Sequence, residues 1–339
     1  MSEAQVKRRP SMADVAAAAG VSPQTVSRVS NGEPYVSKPK RAAVLKAMRE
    51  LGYRPNSAAR AMKRGAFKVI GVMYQSLHPV GNHRTLEAIS EVAIEHEYAT
   101  MIMPVGSSTA QATGGAFTRL GEMGVDAIIA VLSSHMEGQD SLQLPPGVPT
   151  VVLGAAPSVE ASILDFDQRP GTSEIMDHLL GLGHRTVHHI AGPCESLSAT
   201  NRRNVWKEKL EAAGCPVPES AAGDWTPASG YAAMRQLLDR GERPTAVFAA
   251  NDQMALGAYR AILEEGLRIP EDISVVGFDN IDEVVAYPPP LTTVRQDWEQ
   301  LGKEALRCAL ALMNGEDPVT VSLPTRMVVR ESTGPAPTA

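Results

Sequence analysis

The sequence predicts a small all-α domain at the N-terminus, followed by a larger core of two α/β lobes with parallel sheets. Three observations support this prediction. The first 52 residues contain three short helical segments and no alternating strand pattern. From Phe67 onward, short apolar runs alternate with helical segments, which is typical of parallel strands joined by helices. The remaining length, about 270 residues, is too long for one such sheet, so two lobes are expected.

The first two helices and the turn between them have the pattern of a helix-turn-helix. Ser11 and Asp14 have the spacing of a capping box, and the helix they begin stops at Gly20. Ser22 is the expected cap of the second helix, whose first position is Pro23, where a missing N–H costs little. Small residues are needed where the two helices cross, and the Ala-rich segment before Gly20 supplies them. The alternative is an unrelated helical hairpin.

The N-terminal region is strongly basic. Residues 1–68 carry 14 Lys and Arg against four Asp and Glu, a net charge of +10, whereas the remainder carries −16 and the whole chain −6. A basic module on an acidic body indicates a polyanion such as DNA as the partner of the module, although a basic end alone is often only a solvated tail.

A third helix is expected from Lys38 to Leu51, with Ser37 as its cap.

Composition argues against several other classes of protein. No apolar run reaches the ~18–20 residues of a membrane span, and the polar, basic N-terminus lacks a secretory signal pattern. A cytoplasmic protein without membrane association is therefore expected. The three cysteines form no C-x-x-C pair, which argues against a disulfide framework. His188 and His189 are adjacent on a predicted strand and point to opposite faces, so they are not expected to bind a metal together. No cofactor is expected.

Ordered motifs occur along nearly the whole chain. They run from Asp14-Val15-Ala16 through Leu51-Gly52-Tyr53-Arg54-Pro55-Asn56 to the core segments 181–185, 250–257 and 272–279. This succession closely resembles the lactose/galactose repressor (LacI/GalR) family of transcription regulators, and the second lobe most resembles the lactose-repressor branch. The resemblance implies a helix-turn-helix headpiece on a two-lobed α/β core like that of periplasmic binding proteins.

The resemblance also implies domain boundaries, which follow the order of the chain. They are a headpiece at 1–54, a hinge helix or linker at 55–66, a first lobe at 67–165 and 295–322, a second lobe at 166–294 and 323–332, and a disordered tail at 333–339.

The resemblance further implies which residues contact DNA. Gln24 and Arg28 would read base edges in the major groove, and Pro23 offers only an apolar contact. The residues expected at phosphates are Ser11, Ser22, Thr25, Ser27, Asn31, Ser37 and Tyr53. Residues 56–62 match the family's hinge helix, which pairs with its partner copy in the minor groove; a plain linker is the alternative. Its expected DNA-binding residues are Asn56, Ala59, Arg60 and Met62, with Met62 as an apolar wedge between base pairs.

Five core residues match family positions that bind a sugar. Arg202, Asn251 and Asp279 would hydrogen-bond hydroxyl groups, Trp225 would stack on the apolar face of the sugar, and Gln296 would line the pocket. From the residues alone, Asp279 is equally a helix cap after a strand, and Trp225 is equally a core side chain.

Two first-lobe positions leave the identity of the saccharide open. Gly154 and Val131 stand where the lactose-repressor branch has Asp and Asn. A saccharide effector is therefore expected, but not specifically a galactoside.

Three functions stay open on the sequence. The first is a repressor that releases a near-palindromic operator when a sugar binds between the lobes, acting as a homodimer with one headpiece on each half-site. The chain ends without apolar heptads, so a dimer is expected rather than a tetramer. The second is a corepressor-type regulator responding to a purine or a sugar phosphate. The third is an enzyme or transport-binding protein. The sequence lacks a nucleophile–base arrangement and a phosphate-binding glycine loop, which argues against an enzyme, and it lacks a signal peptide, which argues against transport.

Overall fold

A computed structural model describes residues 10–54, 65–77, 79–106, 109–132, 144–154, 161–240 and 243–337 of this chain. The chain divides into two compact units, residues 1–67 and residues 68–339. The first unit includes the predicted headpiece and the predicted hinge or linker segment, and the second includes the predicted core.

The described part of the headpiece, residues 10–54, contains three helices at the positions that the sequence predicts. They are α1 (Met12–Ala19), α2 (Pro23–Ser30) and α3 (Lys38–Leu51). Ser11 Oγ accepts a hydrogen bond from Asp14 N at 3.3 Å, and the Asp14 carboxylate accepts one from Ser11 N at 2.7 Å, which completes the capping box. Ser22 Oγ accepts from Thr25 N at 3.2 Å at the start of α2. Ser37 occupies the cap position of α3, but its side chain makes no capping hydrogen bond, so that prediction is correct in position only.

The headpiece has a small aliphatic core of its own. Its buried apolar residues are Val15, Ala16, Val26, Val29, Val44, Ala47 and Met48. Gly20 ends α1 with φ +62°, a left-handed conformation that glycine adopts without a Cβ clash. The turn after Gly20 directs α2 back onto α1, so the apolar sides of both helices close over one core.

The first lobe of the core is a six-stranded sheet in the order β11-β5-β4-β3-β1-β2, with all pairings parallel. Its elements are β1 (Val69–Tyr74), α4 (Val80–Glu95), β2 (Ala99–Pro104), α5 (Ala110–Met123), β3 (Ala127–Leu132), β4 (Thr150–Gly154), β5 (Ser162–Asp167), α10 (Trp298–Met313) and β11 (Thr320–Pro324). β3 is buried along its whole length, because helices cover both faces of the sheet. Apolar runs in the sequence predict β1 to β4 but not β5 or β11. In β5 buried residues alternate with less buried ones and two Asp occur, and β11 lies at the edge of the sheet.

The second lobe is built on a four-stranded parallel sheet in the order β7-β6-β8-β9. Its elements are α6 (Gln168–Gly181), β6 (His188–Ala191), α7 (Leu197–Ala212), β7 (Ala221–Ala222), α8 (Pro227–Leu238), β8 (Ala246–Ala249), α9 (Asp252–Glu264), β9 (Ser274–Val276), a 3₁₀ helix (Asp282–Ala286), β10 (Thr293–Arg295) and β12 (Arg326–Val328). β10 and β12 form an antiparallel pair. The described chain passes between the lobes after β5, after β10 and after β11, and we place the lobe boundaries there.

The C-terminal segment departs from the sequence prediction. Residues 333–339 are predicted to be a disordered tail, but Gly334 N donates to Ser274 Oγ at 3.0 Å and Ala336 N donates to Leu182 O at 2.9 Å. Thr333 Oγ1 lies 2.9 Å from His178 Nε2. At residues 333, 334 and 336 the structure thus differs from the prediction, because a polar, proline-containing composition does not reveal hydrogen bonds to a distant part of the chain.

Candidate ligand-binding site

A cavity of about 360 Å³ lies in the core between the two lobes, at the carboxyl ends of the first-lobe strands. Open α/β sheets bind ligands at this edge, because the loops there leave a crevice. The first-lobe wall includes Gln75, Ser76, Val131, Leu153, Gly154 and Asp165. The opposite, second wall includes all five residues singled out from the sequence, which are Arg202, Trp225, Asn251, Asp279 and Gln296. Gln296 lies directly after β10, where the chain passes between the lobes.

Arg202 is the central polar group of the second wall. It projects from α7 with only 3% of its surface exposed. Its Nε donates to Gln168 Oε1 at 2.9 Å, its Nη1 donates to Ala250 O, and its Nη2 lies 3.6 Å from Asp279 Oδ1. The guanidinium carbon lies 3.6 Å from the centroid of the Phe278 ring. Burial lowers the pKa of Arg202, because the guanidinium loses its contact with water, and the neighbouring acceptors offset part of that cost.

Asp279 is the carboxylate partner of this arginine. Gln296 Nε2 donates to Asp279 Oδ1 at 2.6 Å. Burial raises the pKa of Asp279 to about 6, against the opposing effect of the nearby Arg202. The alternative that Asp279 caps a helix is wrong, because Ile281 is the cap residue of the following 3₁₀ helix. Asp279 and Gln296 thus hold an acceptor and an amide side by side in the cavity wall.

Trp225 and Asn251 support each other on the same wall. Asn251 caps α9, since its Oδ1 accepts from Met254 N at 2.9 Å, and its Nδ2 donates to Trp225 O at 3.1 Å. The Trp225 ring lies so close to Gly192 that a Cβ added to this glycine would be 2.4 Å from it. Trp225 is partly buried and borders the cavity, so it presents a ring to whatever occupies that space.

The first-lobe wall contains polar groups that sequence reasoning missed. The amide nitrogen and oxygen of Gln75, directly after β1, are buried, and neither has a hydrogen-bond partner among the described residues. Asp165, near the end of β5, accepts one hydrogen bond from Phe166 N at 2.8 Å, and burial raises its pKa to about 6. Val131 and Gly154 add no polar side chain to this wall. The one available signal was a polar residue at the carboxyl end of a strand, which is common outside binding sites.

The headpiece presents the predicted DNA-contacting side chains on its surface. Pro23, Gln24 and Arg28 of α2 are exposed, and Arg28 Nε lies 3.8 Å from Glu33 Oε2, a weak surface pair that leaves the arginine mobile. Exposed or partly exposed as well are Ser11, Ser22, Thr25, Ser27, Asn31, Ser37 and Tyr53. The predicted hinge residues Asn56, Ala59, Arg60 and Met62 lie outside the described residues.

Two further observations concern other kinds of site. His189 is fully buried between the rings of Trp206 and Phe248, its Nδ1 lies 2.8 Å from Phe248 O, and burial lowers its pKa to about 4. It is thus a neutral core residue, whereas His188 beside it is partly exposed. Within the described ranges, no group of three or more His, Cys, Asp and Glu could hold a metal ion. No helix in that part of the chain has both the length and the apolar character to cross a membrane.

Comparisons with known proteins identify the family. Residues 11–56 match the profile of bacterial regulatory proteins of the lacI family, and residues 176–333 match a periplasmic binding protein-like domain. The lactose operon repressor of Escherichia coli (strain K12) is 36% identical over 324 residues, which cover 94% of this chain and 89% of that protein. This chain belongs to the LacI family. The predicted family and fold class are thus confirmed.

Other relatives and solved structures match nearly the whole length of this chain. The HTH-type transcriptional regulator CelR of Thermobifida fusca is 36% identical over 348 residues, covering 96% of this chain and 99% of that protein. The transcriptional repressor PurR of Haemophilus influenzae (strain PittEE) is 32% identical over 309 residues, covering 90% and 91%. A lac repressor dimer bound to operator and the anti-inducer ONPF matches with TM-score 0.85 and 35% identity, covering 96% of this chain and 100% of that chain. A CelR–cellobiose complex matches with TM-score 0.69 and 32% identity, covering 96% and 100%.

Proposed function

We propose that this LacI-family regulator is a transcriptional repressor that binds a near-palindromic operator as a homodimer, and that a small saccharide in the cavity lowers its operator affinity. The observation that carries the proposal is the wall in which Arg202, Asp279 and Gln296 lie beside Trp225. Among the similar structures, a lac repressor is a dimer bound to operator, and CelR is in complex with cellobiose. We place the regulator in the cytoplasm, and we assign it no catalytic activity.

The chemistry of the second wall suits a sugar. A sugar hydroxyl both donates and accepts, so it needs a donor and an acceptor close together, which Arg202 and Asp279 supply. The C–H groups of the ring form an apolar face, which the Trp225 ring can cover. The cavity volume, about 360 Å³, is within the range of small-molecule sites.

The coupling to DNA follows from a difference in affinity. The sugar would contact both lobes, so it binds more tightly to the lobe arrangement in which both walls reach it. If operator DNA favours the other arrangement, each ligand weakens the binding of the other by the same factor. A coupling of tenfold corresponds to about 1.4 kcal/mol.

A second candidate is a regulator whose purine or sugar phosphate ligand strengthens operator binding. PurR of Haemophilus influenzae, a transcriptional repressor, is 32% identical to this chain and the lactose operon repressor is 36% identical, so the relatives keep this alternative in view. The buried guanidinium of Arg202 would also attract an anion. The carboxylates of Asp165 and Asp279 in the same cavity oppose a sugar phosphate, because they repel a negative ligand; this repulsion does not act on a neutral purine.

The test is a fluorescence-anisotropy titration of a palindromic operator library at fixed salt, with and without a panel of monosaccharides and disaccharides. We expect one sugar to weaken operator binding at least tenfold. A purine base and a sugar phosphate are titrated in the same way; if either strengthens binding and no sugar weakens it, the corepressor alternative replaces the proposal. If no operator is bound, the repressor assignment fails.

A matched pair of headpiece variants checks the DNA-binding surface in the same assay. Arg28→Ala removes a side chain placed to reach base edges, so we expect a loss of operator affinity of about 1–3 kcal/mol. Lys46→Ala removes the same charge from an exposed position on α3, outside the predicted contact surface, and should cost much less. Equal losses would mean that the effect is only one of net charge.

A further inference from the structure

The cavity that separates the lobes is acidic. Its described lining contains one cationic side chain, Arg202, and four carboxylates, those of Asp165, Glu195, Asp224 and Asp279. Arg202 does not compensate for all of them, because its guanidinium already contacts Gln168, Ala250 and Asp279. An anionic ligand would therefore enter a site with an excess of negative charge.

Asp165 differs from the other three carboxylates in its position. Among the described residues that line the first-lobe wall, it is the only ionisable side chain. It lies on β5, which pairs in parallel with β4 in the register Leu153↔Leu164, so Asp165 follows next to Gly154. Gly154 has no side chain that could pair with the carboxylate. The first wall thus offers one charged acceptor opposite the guanidinium of the second wall.

The hydrogen bonding of Asp165 leaves acceptor capacity for a ligand. A carboxylate has about four acceptor sites on its two oxygens. Within the described part of the chain, Asp165 receives one hydrogen bond, from Phe166 N to Oδ1. The attraction of the Arg202 guanidinium favours its ionised form, whereas burial opposes it and raises the pKa to about 6. At neutral pH Asp165 is therefore mostly a carboxylate, partly buried and incompletely bonded.

We propose that Asp165 accepts a hydrogen bond from a hydroxyl of the effector on the first-lobe side, and that it selects a neutral saccharide against the phosphorylated form of the same saccharide. The inference rests on the proposed sugar-binding function and specifies the class of sugar. A hydroxyl donated to an ionised acceptor makes a strong, charge-assisted hydrogen bond. A phosphate in the same cavity would be repelled by this carboxylate and by the excess of negative charge in the lining, and rejection of this kind gives specificity without any additional attractive contact.

The experiment measures sugar binding to the full-length protein by isothermal titration calorimetry at pH 7.5. The probes are glucose, cellobiose and lactose, each compared with its 6-phosphate. We expect the wild type to bind one neutral sugar at least tenfold more tightly than the phosphorylated form. Asp165→Asn should weaken binding of that neutral sugar about tenfold, and should reduce the preference for the neutral form by a similar factor.

The matched control is Asp167→Asn. Asp167 is an exposed carboxylate on the same strand, it does not line the cavity, and Asn retains its ability to cap α6. This variant should leave the Kd for the neutral sugar within twofold of wild type. Thermal melting of both variants without ligand checks that neither substitution disturbs the fold.

The outcomes separate this inference from the proposed function. If the wild type binds no neutral sugar, both are wrong. If it binds a neutral sugar but Asp165→Asn leaves both the Kd and the preference within twofold, the role of Asp165 is wrong and the sugar-responsive function stands. If the wild type binds a 6-phosphate as tightly as the neutral sugar, the selectivity is overturned without reference to any variant.

Discussion

The two lobes of the core bury different kinds of polar side chain. In its described part, the second lobe buries five His, Arg and Asp residues, which are His184, His189, Arg202, Asp252 and Asp279. In the described part of the first lobe, the buried hydrophilic residues are all uncharged, and they are Asn82, Thr85, Thr113, Thr150 and Ser162. One lobe thus contains a buried ionic network, and the other is closer to an ordinary aliphatic α/β core.

The network in the second lobe is largely satisfied from within. Asp252 accepts hydrogen bonds from Thr293 Oγ1 and Ile281 N, and its pKa is raised well above its ordinary range, by burial first and by the charge of Asp279 second. Such a network holds its members in fixed positions, but each member depends on the others. In the first-lobe wall, the Gln75 amide has no hydrogen-bond partner among the described residues and Asp165 accepts one hydrogen bond there, so the proposed ligand would supply the missing partners. We infer that the second lobe provides a general sugar-binding wall, and that the first lobe distinguishes one sugar from another.

The largest expected effect comes from breaking the second-lobe network at its cation. Arg202→Met leaves the buried Asp279 without its charge partner, so we expect a loss of unfolding free energy of about 3–5 kcal/mol and no measurable sugar binding. Chemical denaturation of the full chain measures the unfolding free energy, and calorimetry measures sugar binding. Arg203→Met on the exposed side of α7 is the control, and it should change stability by about 0.5 kcal/mol or less. Similar losses of unfolding free energy in both variants would contradict the role of Arg202 in stabilising the buried network.

The next effect concerns the aromatic part of the same wall. Trp225→Ala removes the ring that covers the apolar face of the sugar, and we expect sugar binding to weaken by about 2–3 kcal/mol. Trp225→Phe should recover part of that loss. Trp206→Phe is the control, because Trp206 is buried in the second-lobe core and donates to Val187 O at 2.9 Å. Trp206→Phe should lower thermal stability and leave the Kd for the sugar unchanged. If Trp225→Phe and Trp206→Phe changed the Kd equally, the role of Trp225 in covering the sugar would be contradicted.

The buried histidine should make stability depend on pH through the second lobe. His189 has a folded-state pKa of about 4 against an ordinary value of 6.5. Between these values the unfolded chain binds a proton that the folded protein excludes, so stability from this group falls as the pH falls. From pH 7 to pH 5 the loss is about 2 kcal/mol. Urea denaturation at both pH values should show a smaller loss for His189→Phe than for wild type; equal losses would mean that His189 is protonated in the folded state.

The smallest expected effect tests the unpaired amide of the first-lobe wall. Gln75→Ala should weaken sugar binding by about 1 kcal/mol, roughly fivefold, since one hydrogen bond to the ligand is lost. It should not lower stability without ligand, because the buried amide has no partner among the described residues. Calorimetry and thermal melting measure the two quantities, with Gln236→Ala at an exposed position of α8 as the control. A loss of stability with unchanged sugar affinity would make Gln75 a structural residue.

The sequence by itself determined the features that depend on neighbours within a few residues. The capping box at Ser11, the stop at Gly20 and the three headpiece helices follow from hydrogen bonds that span three or four positions. The alternation of apolar runs with helices also predicts two parallel-sheet lobes, and the family motifs identified the five side chains of the second cavity wall.

Only the tertiary structure decided which distant residues meet. Gln75 and Asp165 are 90 positions apart in the chain, and they border one cavity because the strand order β5-β4-β3-β1 brings the carboxyl ends of their strands to one edge. The docking of Gly334 on Ser274 is of the same kind. The physical reason is that caps and turns are local, whereas sheet neighbours, burial and the pKa of Asp165 depend on contacts between residues far apart in the sequence, which no local pattern encodes.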